Sequence, residues 1–220
     1  MSKGFVHEST YNESKKYQII YADPPWSYND KRNKHPRMCG GALSHYETMP
    51  LKEIKTLPLA SIVAESAVLF LWVTFPLLKE GLEVLDSWGF KYKTLGFSWI
   101  KTNKKNGKPF FGIGYYTKSN CECCLLGVRG KTIKPASNCV SSVIISPRRE
   151  HSRKPTEARR GIELLYPTQT KIELFAREKT PGWDVWGNEV NSDIQLTETS
   201  ISEHRQSVIN AAASKLRNQK

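Results

Sequence analysis

The sequence predicts an α/β fold built on a mostly parallel, doubly wound sheet. Residues 17–22 and 67–73 form two continuous apolar runs with the length and β-branched content of buried strands. Residues 77–88 instead place leucines at helical spacing and stop at Gly89, a normal signal for the end of a helix. The 220 residues suffice for one domain of this class, which we expect over 17–190, between an N-terminal arm (1–16) and a polar tail (191–220).

The first strand stops abruptly at Asp23-Pro24-Pro25-Trp26. Each proline fixes its own φ and pushes the residue before it out of the helical region, so Asp23 and Pro24 are expected to be extended. The carbonyls of Asp23 and Pro24 are therefore not used by a following helix, and neither proline offers an N–H donor. We therefore expect a stiff ledge of hydrogen-bond acceptors at the carboxyl end of a strand, where open α/β sheets bind their ligands.

This ledge suits an aromatic amine such as the exocyclic nitrogen of adenine, whose lone pair is delocalised into the ring. The Asp23 carboxylate and the Pro24 carbonyl would accept its two hydrogens and draw the nitrogen towards a tetrahedral shape, which makes the lone pair available to a methyl donor. Trp26 would form a wall beside the base or stack on it. The alternative is a turn that merely ends the strand, with Asp23 as a local cap.

The remaining elements follow from the same signals. A proline ahead of helical spacing predicts a helix start within residues 49–54 and a helix over Pro155–Tyr166. The other predicted elements are a helical segment at 57–65, a strand pair over 90–101, strands at 122–128, 139–145 and 171–177, and a short helix at 207–216.

The charge balance points to a polyanionic partner. The formal net charge is +12 and the sequence pI is near 9.5, which is most simply explained by binding to nucleic acid. Basic and aromatic residues alternate over 102–118, as single-stranded or flipped bases require, although a solvated loop with a few anchoring aromatics fits equally well. A soluble enzyme that happens to be basic is the alternative for the whole chain.

The cysteines and the apolar runs indicate the cellular compartment and whether the chain binds a metal or a membrane. No apolar run approaches the ~20 residues of a membrane span, and the polar N-terminus lacks a secretory centre, so we expect a cytoplasmic protein that does not bind membranes. Five cysteines, an odd number, fit free thiols in a reducing compartment. The run Cys121-Glu122-Cys123-Cys124 continues into apolar residues, which favours small hydrophobes on a buried strand over a metal site, and we predict no metal.

Several segments, taken in order, resemble the MT-A family of adenine N-6 methyltransferases, named for the seventy-kilodalton AdoMet-binding subunit of the mRNA methyltransferase. The matching segments span roughly Tyr17 to Val190, and the ordered set is far more specific than the tetrapeptide alone. They are 22–26, 70–74, 99–103, 124–130, 152–155, 171–177 and 187–188.

The resemblance implies a Rossmann-like fold with a permuted motif order, in which the catalytic strand precedes the cofactor segment. It implies S-adenosyl-L-methionine (AdoMet) as cofactor, with Asp23 to Trp26 as the catalytic motif lying against the methyl donor. Lys154 is expected to hold the methionine part, and Arg177 and Asn188 to contact the ribose and adenine. Glu189 stands where members with a nuclear mRNA role carry glutamine.

On the substrate side we assign Tyr46 together with four residues in or near the matching segments: Trp72, Trp99, Lys101 and Asn120. The family also uses an acidic residue upstream of the catalytic strand, where this chain offers Glu8 or Glu13 without a decision between them. The chain resembles the compact bacterial or phage members that act on DNA, in a bacterial cell or a phage-infected host. An RNA methyltransferase and a non-catalytic nucleic-acid-binding subunit remain alternatives, and the oligomeric state, a homodimer included, stays open.

Overall fold

The structure is a computed structural model that describes residues 15–27, 48–112, 114, 116–149 and 153–196. Its strands and helices are, in chain order, β1 (Tyr17–Ala22), α1 (Leu51–Thr56), β2 (Val63–Val73), α2 (Leu78–Ser87), β3 (Lys91–Thr102), β4 (Cys121–Arg129), β5 (Val143–Pro147), α3 (Thr156–Leu165), β6 (Lys171–Leu174) and β7 (Asp184–Trp186). Two short 3-10 turns, Leu59–Ser61 and Phe75–Leu77, precede β2 and α2.

The described strands form one mixed seven-stranded sheet in the order β5-β3-β4-β2-β1-β6-β7. Strand β4 runs antiparallel to both of its neighbours, β2 and β3, while the other described pairings are parallel. The other six described strands therefore run in one direction. The sheet is mostly parallel, as predicted, with one antiparallel strand.

Strand β1 lies in the interior of the sheet, between β2 and β6, and its side chains are buried on both faces. Ile20 and Ala22 pack into one core with α1 and α2, through residues such as Ile54 and Val84. Ile19 and other residues of the opposite face pack into a second core with α3. This two-sided burial explains why β1 is continuously apolar in sequence, and it places helices on both faces of the sheet.

The sequence-based assignment was wrong over residues 57–65 and 90–101. Residues 57–65 are not helical, because Pro58 leads into a single 3-10 turn and Val63 already pairs with Tyr17 as the first residue of β2. Residues 91–102 form one strand instead of a pair, and its pairing with β4 shifts register twice, once across Gly96. A side chain at Gly96 would meet the ring of Phe70, which explains the glycine there.

Two cysteines of β4 behave as the sequence predicts. Cys123 and Cys124 are buried, one in each core, and burial raises the pKa of both thiols, that of Cys123 to about 11. Within the described residues no helix has the length and apolar character needed to cross a membrane. The predicted helix at 207–216 and the candidate acids Glu8 and Glu13 lie outside the described residues.

Candidate active site

The candidate site lies at the edge of the sheet where the parallel strands end. Ala22, the last residue of β1, pairs with Leu71 of β2 and with Leu174 of β6. Leu174 pairs in turn with Trp186, the last residue of β7. Because these strands share one direction, the segments that follow each of them emerge at the same edge, which is the usual ligand side of an α/β sheet.

The residues after these strands enclose a cleft of about 240 Å³. All the catalytic and cofactor residues predicted from the sequence line it: Asp23, Pro24, Pro25, Trp26, Lys154, Arg177, Asn188 and Glu189. The remaining wall comes from the segments that follow β2 and β6 and from one side chain of β4, Glu122. Segments far apart in the sequence are thus brought to one concave site.

The ledge after β1 is partly committed to the protein's own backbone. The Trp26 N–H donates to the Pro24 carbonyl at 2.8 Å, and the Met49 N–H donates to the Pro25 carbonyl at 2.8 Å. The sequence predicts that no following helix uses the carbonyls of Asp23 and Pro24, and the described contact of the Pro24 carbonyl is instead made within the ledge itself. A carbonyl oxygen has two lone pairs, so Pro24 keeps the capacity to accept one further hydrogen bond.

Trp26 is held rigidly at the base of this ledge. Its side chain is buried, and its indole Nε1–H donates to the Trp72 carbonyl of β2 at 3.0 Å. The indole therefore cannot swing freely, and it forms a fixed wall of the cleft beside Asp23.

Lys154 joins two carboxylates that come from different parts of the chain. Its Nζ donates to Asp23 Oδ2 at 2.8 Å and forms an ion pair with Glu122 Oε2 at 3.2 Å. Lys101 of β3 donates to the other oxygen of Glu122. Asp23, Glu122 and two lysines thus form one charged network whose members are mostly shielded from water.

The environment pushes the pKa values of the two carboxyl groups apart. Burial raises the pKa of Asp23 above its usual range, although the Lys154 ammonium opposes this. Burial alone would also raise the pKa of Glu122, but the ammonium groups of Lys154 and Lys101 hold it below its usual range. The pKa of Lys154 is raised because the attraction of both carboxylates outweighs its burial.

Sequence reasoning missed Glu122. The signal was present, because a single carboxylate inside the apolar run of β4 must find a cation once that strand is buried. In the structure only 10% of the Glu122 side-chain surface is exposed, so its pairing with the two lysines is needed to keep the charge inside the protein.

The turn after β6 adopts an unusual backbone conformation. Phe175 has a φ of 60°, which is rare for a residue with a side chain and often marks a functional segment. Gly187 packs directly on this turn, because a Cβ there would lie 2.3 Å from the Ala176 carbonyl oxygen. This close approach sets the position of the next residues, Asn188 and Glu189, against Arg177, whose Nε lies 3.4 Å from Glu189 Oε1.

The structure does not bring the predicted substrate residues into the cleft. Trp72 and Trp99 are fully buried, and their indole N–H groups donate to the Tyr21 hydroxyl and the Ser146 carbonyl. A base cannot stack on a ring that is enclosed by the core, so both are corrected to core residues. Their aromatic character in matched segments was mistaken for a binding role.

The other three predicted substrate residues have different outcomes. Lys101 holds Glu122 instead of lining the cleft. Asn120 sits immediately before β4, where its carbonyl accepts from the Lys101 N–H at 2.9 Å, and it does not line the cleft either. Tyr46 lies outside the described residues.

The charge of Glu122 should make a pH-dependent contribution to stability. Glu122→Gln is expected to lower the free energy of unfolding at neutral pH by about 1–3 kcal/mol, because charge-assisted hydrogen bonds are lost. The native pKa lies below the ordinary value of 4.5. The stabilisation is therefore present above pH ~4.5 and is lost as the pH falls through the native pKa.

Urea denaturation of the wild-type protein and of Glu122→Gln from pH 7 to pH 3 measures this contribution. The difference between them should narrow below pH ~4.5. Glu83→Gln is the matched control, because Glu83 pairs with Lys55 on the surface and should change stability by less than ~1 kcal/mol. A difference that stays constant across the pH range would contradict the assigned pairing.

Sequence comparison relates the chain to known methyltransferases. The sequence profile of the MT-A70 family matches residues 17–189. The chain is 36% identical to the type II methyltransferase M.MunI of Mycoplasma sp over 87% of this chain and 86% of that protein. It is 33% identical to an N(6)-adenosine-methyltransferase MT-A70-like protein of Arabidopsis thaliana, over 80% of this chain and 24% of that protein.

A further relative is the human N(6)-adenosine-methyltransferase catalytic subunit METTL3, at 29% identity over 92% of this chain and 33% of that protein. The chain thus spans nearly the whole of its bacterial relative and about a quarter to a third of the two eukaryotic ones. The family profile covers most of the sequence, including every residue of the cleft. The chain therefore belongs to the MT-A70 family of adenine N6-methyltransferases.

Proposed function

We propose that this protein transfers a methyl group from AdoMet to the exocyclic N6 nitrogen of adenine in DNA. The single observation that carries the proposal is the cleft itself, in which the acceptors of the ledge, Asp23 and the Pro24 carbonyl, lie beside the charged Lys154 and the segment after β7. The match to a type II methyltransferase along nearly its full length supports DNA as the substrate.

The residues of the cleft fit AdoMet by the chemistry of their donors and acceptors. The ammonium of Lys154 suits the carboxylate of the methionine part, and the side chains of Asn188 and Glu189 suit the hydroxyls of a ribose. Arg177 is placed by its contact with Glu189 to frame the same side. When bound, AdoMet supplies an electrophilic methyl group on a sulfonium, whose sulfur is the leaving group of a direct displacement.

Asp23 and Pro24 prepare the nucleophile. One N6 hydrogen is donated to the Asp23 carboxylate and the other to the remaining lone pair of the Pro24 carbonyl. These two bonds would hold the nitrogen in a near-tetrahedral shape and would present its lone pair to the methyl group of bound AdoMet, where a new N–C bond would replace the S–C bond. Trp26, fixed by its bond to β2, limits the tilt of the purine ring.

The raised pKa of Asp23 supports a second role for this carboxylate. The nitrogen that has gained a methyl group carries a positive charge and an extra proton, and Asp23 lies on the ledge where it can accept that proton. A carboxyl group whose pKa is raised is a better proton acceptor than an ordinary aspartate. The Lys154 ammonium opposes this rise in the pKa of Asp23.

The fold that we propose is the Rossmann-like AdoMet-dependent methyltransferase fold with permuted motif order. Strand β1, which carries the reactive ledge, precedes β6 in the chain, although the two strands are neighbours in the sheet. We propose residues 17–190 as the methyltransferase domain, in agreement with the extent of the family match. The bacterial relative supports action in a bacterial cytoplasm.

RNA is the second candidate substrate, because the eukaryotic relatives are named for the methylation of adenosine. A non-catalytic subunit is less well supported, since the ledge and its Lys154–Glu122 network are complete. A base within duplex DNA must be extruded before it can enter a cleft of this kind, at a cost of a few kcal/mol.

Removal of the Asp23 carboxylate should abolish methylation. Wild-type protein incubated with AdoMet should form N6-methyladenine in a DNA oligomer and less in an RNA oligomer of equal sequence. Asp23→Ala should reduce turnover at least ~10³-fold, because positioning and electrostatic stabilisation of the amine are both lost. AdoMet affinity should change little.

Mass spectrometry of the digested nucleosides measures the product. Asp86→Ala is the matched control, because Asp86 is exposed on α2, away from the cleft. Turnover by Asp23→Ala within tenfold of the wild type would contradict the proposed role of the carboxylate. A faster reaction on RNA than on DNA would make RNA the preferred substrate.

Removal of the Lys154 ammonium should weaken the cofactor. Lys154→Ala is expected to raise the Kd for AdoMet at least ~10-fold, because a charge-assisted hydrogen bond to the cofactor carboxylate is lost. Isothermal titration calorimetry measures the Kd, and thermal denaturation reports whether the variant stays folded after losing the cation that Asp23 and Glu122 share. Lys79→Ala, an exposed lysine of α2, is the control. An unchanged Kd in a folded variant would refute the assignment.

A further inference from the structure

A second groove adjoins the catalytic cleft. It has a volume of about 690 Å³ and is lined mainly by basic side chains: Lys104, Arg148, Arg149, Arg153 and Arg177, with Pro147 and Glu189. Arg177 and Glu189 also line the cleft, so the two spaces are neighbours with a shared boundary. Most of the groove comes from the segment between β5 and α3, a charged stretch for which the reaction itself has no use.

Two arginines of the groove form ion pairs at the protein surface, and Arg149 also donates to Thr156 Oγ1 at 3.0 Å. These two arginines face glutamates whose side chains are 42–44% exposed: Arg149 faces Glu157 at 3.3 Å and Arg153 faces Glu178 at 3.1 Å. Exposed pairs of this kind contribute little to stability, so an incoming anion can replace the glutamate at small cost. A phosphate offers an arginine the same two-pronged geometry as a carboxylate.

Arg148 links the groove to an aromatic segment. Its guanidinium lies 4.4 Å from the centre of the Phe110 ring, and stacking through the flat face leaves the N–H edge able to donate. Phe110 belongs to residues 103–120, which connect β3 to β4. Within this connection Gly112 and Ser119 form an antiparallel bridge, and Tyr116 between them is fully exposed.

We propose that this groove and Tyr116 together form a binding track for the nucleic-acid strand that carries the target adenine, with the strand unpaired next to the target. The proposal rests on the proposed function and extends it to the surface outside the cleft. Phosphates of the strand lie along the basic groove, and a base neighbouring the target stacks on the exposed Tyr116 ring. Basic grooves flanked by exposed aromatic rings bind single strands in this way.

The charge of the groove is tested by the salt dependence of DNA binding. The double variant Lys104→Ala with Arg148→Gln removes two positive charges, and the glutamine keeps a polar stem over Phe110. The control Lys91→Ala with Lys93→Gln removes the same charge from exposed positions at the other end of β3. Fluorescence anisotropy with a single-stranded DNA oligomer between 50 and 300 mM NaCl gives Kd for each protein.

The groove variant should bind roughly tenfold more weakly at low salt than the wild type. Its slope of log affinity against log salt should be smaller by about 1.5, since each lost phosphate contact accounts for about 0.7–0.9. The control should keep the wild-type slope. Equal slopes in the groove variant and the control would overturn the proposal.

The aromatic part is tested by comparing single-stranded and duplex oligomers. Tyr116→Ala should weaken binding of the single strand about tenfold and leave binding of a blunt duplex within twofold, because only an unpaired base offers its face for stacking. Tyr92→Ala, a half-exposed tyrosine of β3, is the matched control. Equal losses on both oligomers, or none on either, would refute the stacking role of Tyr116.

These measurements need no turnover, so they stand apart from the test of the proposed function. If the wild type forms no N6-methyladenine and the groove variant still shows the smaller salt slope, the proposed reaction fails while the groove stands as a nucleic-acid-binding surface. If methylation proceeds and the groove variant leaves both the salt slope and the KM for the oligomer unchanged, the reaction stands and the track is refuted.

Discussion

The sharing of one ammonium between two carboxylates is the interaction on which the cleft depends. Lys154 Nζ lies 2.8 Å from Asp23 and 3.2 Å from Glu122, residues that follow β1 and lie within β4. Two poorly solvated carboxylates would repel one another without a cation between them. Lys154 therefore stabilises the charge of the reactive ledge and fixes the entry to α3 against the sheet. The same lysine is the group that we propose to bind the carboxylate of AdoMet.

The direction of the strands makes this convergence possible. Strand β1 lies between β2 and β6, and all three run the same way, so the segments after them meet at one edge. The reversed strand β4 contributes differently, because it delivers Glu122 from its first residues at that same edge. A single reversed strand thus places a buried acid opposite the ledge, where a uniformly parallel sheet would place the other end of a strand.

The elements that could be predicted were those with a local cause. Two-sided burial of β1 follows from its continuous apolar run, and the position of Asp23 follows from the two prolines after it. The pairing of the Pro24 carbonyl with the Trp26 N–H could not be predicted, because it depends on how the chain turns back after the prolines. The pairing of Glu122 could not be predicted either, since only the order of the strands shows that Lys154 and Lys101 reach it.

The misassigned tryptophans show where pattern matching fails in physical terms. Trp72 and Trp99 lie in segments shared with the family, yet each is enclosed by the core with its indole N–H bonded internally. An aromatic residue on a central strand is held by packing on both faces, whereas a binding residue needs an open side. The groove beyond the cleft could not be predicted from the sequence, because its arginines come together only once β5 and α3 are placed in the fold.

The central claim is that the Asp23–Pro24 corner takes the amino group of the target adenine. A crystal structure of the protein with an AdoMet analogue and an adenine-containing DNA oligomer tests it most directly. The account predicts that adenine N6 lies within hydrogen-bonding distance, about 2.7–3.2 Å, of both an Asp23 carboxylate oxygen and the Pro24 carbonyl oxygen. An adenine bound in the cleft with N6 turned away from that corner would contradict it.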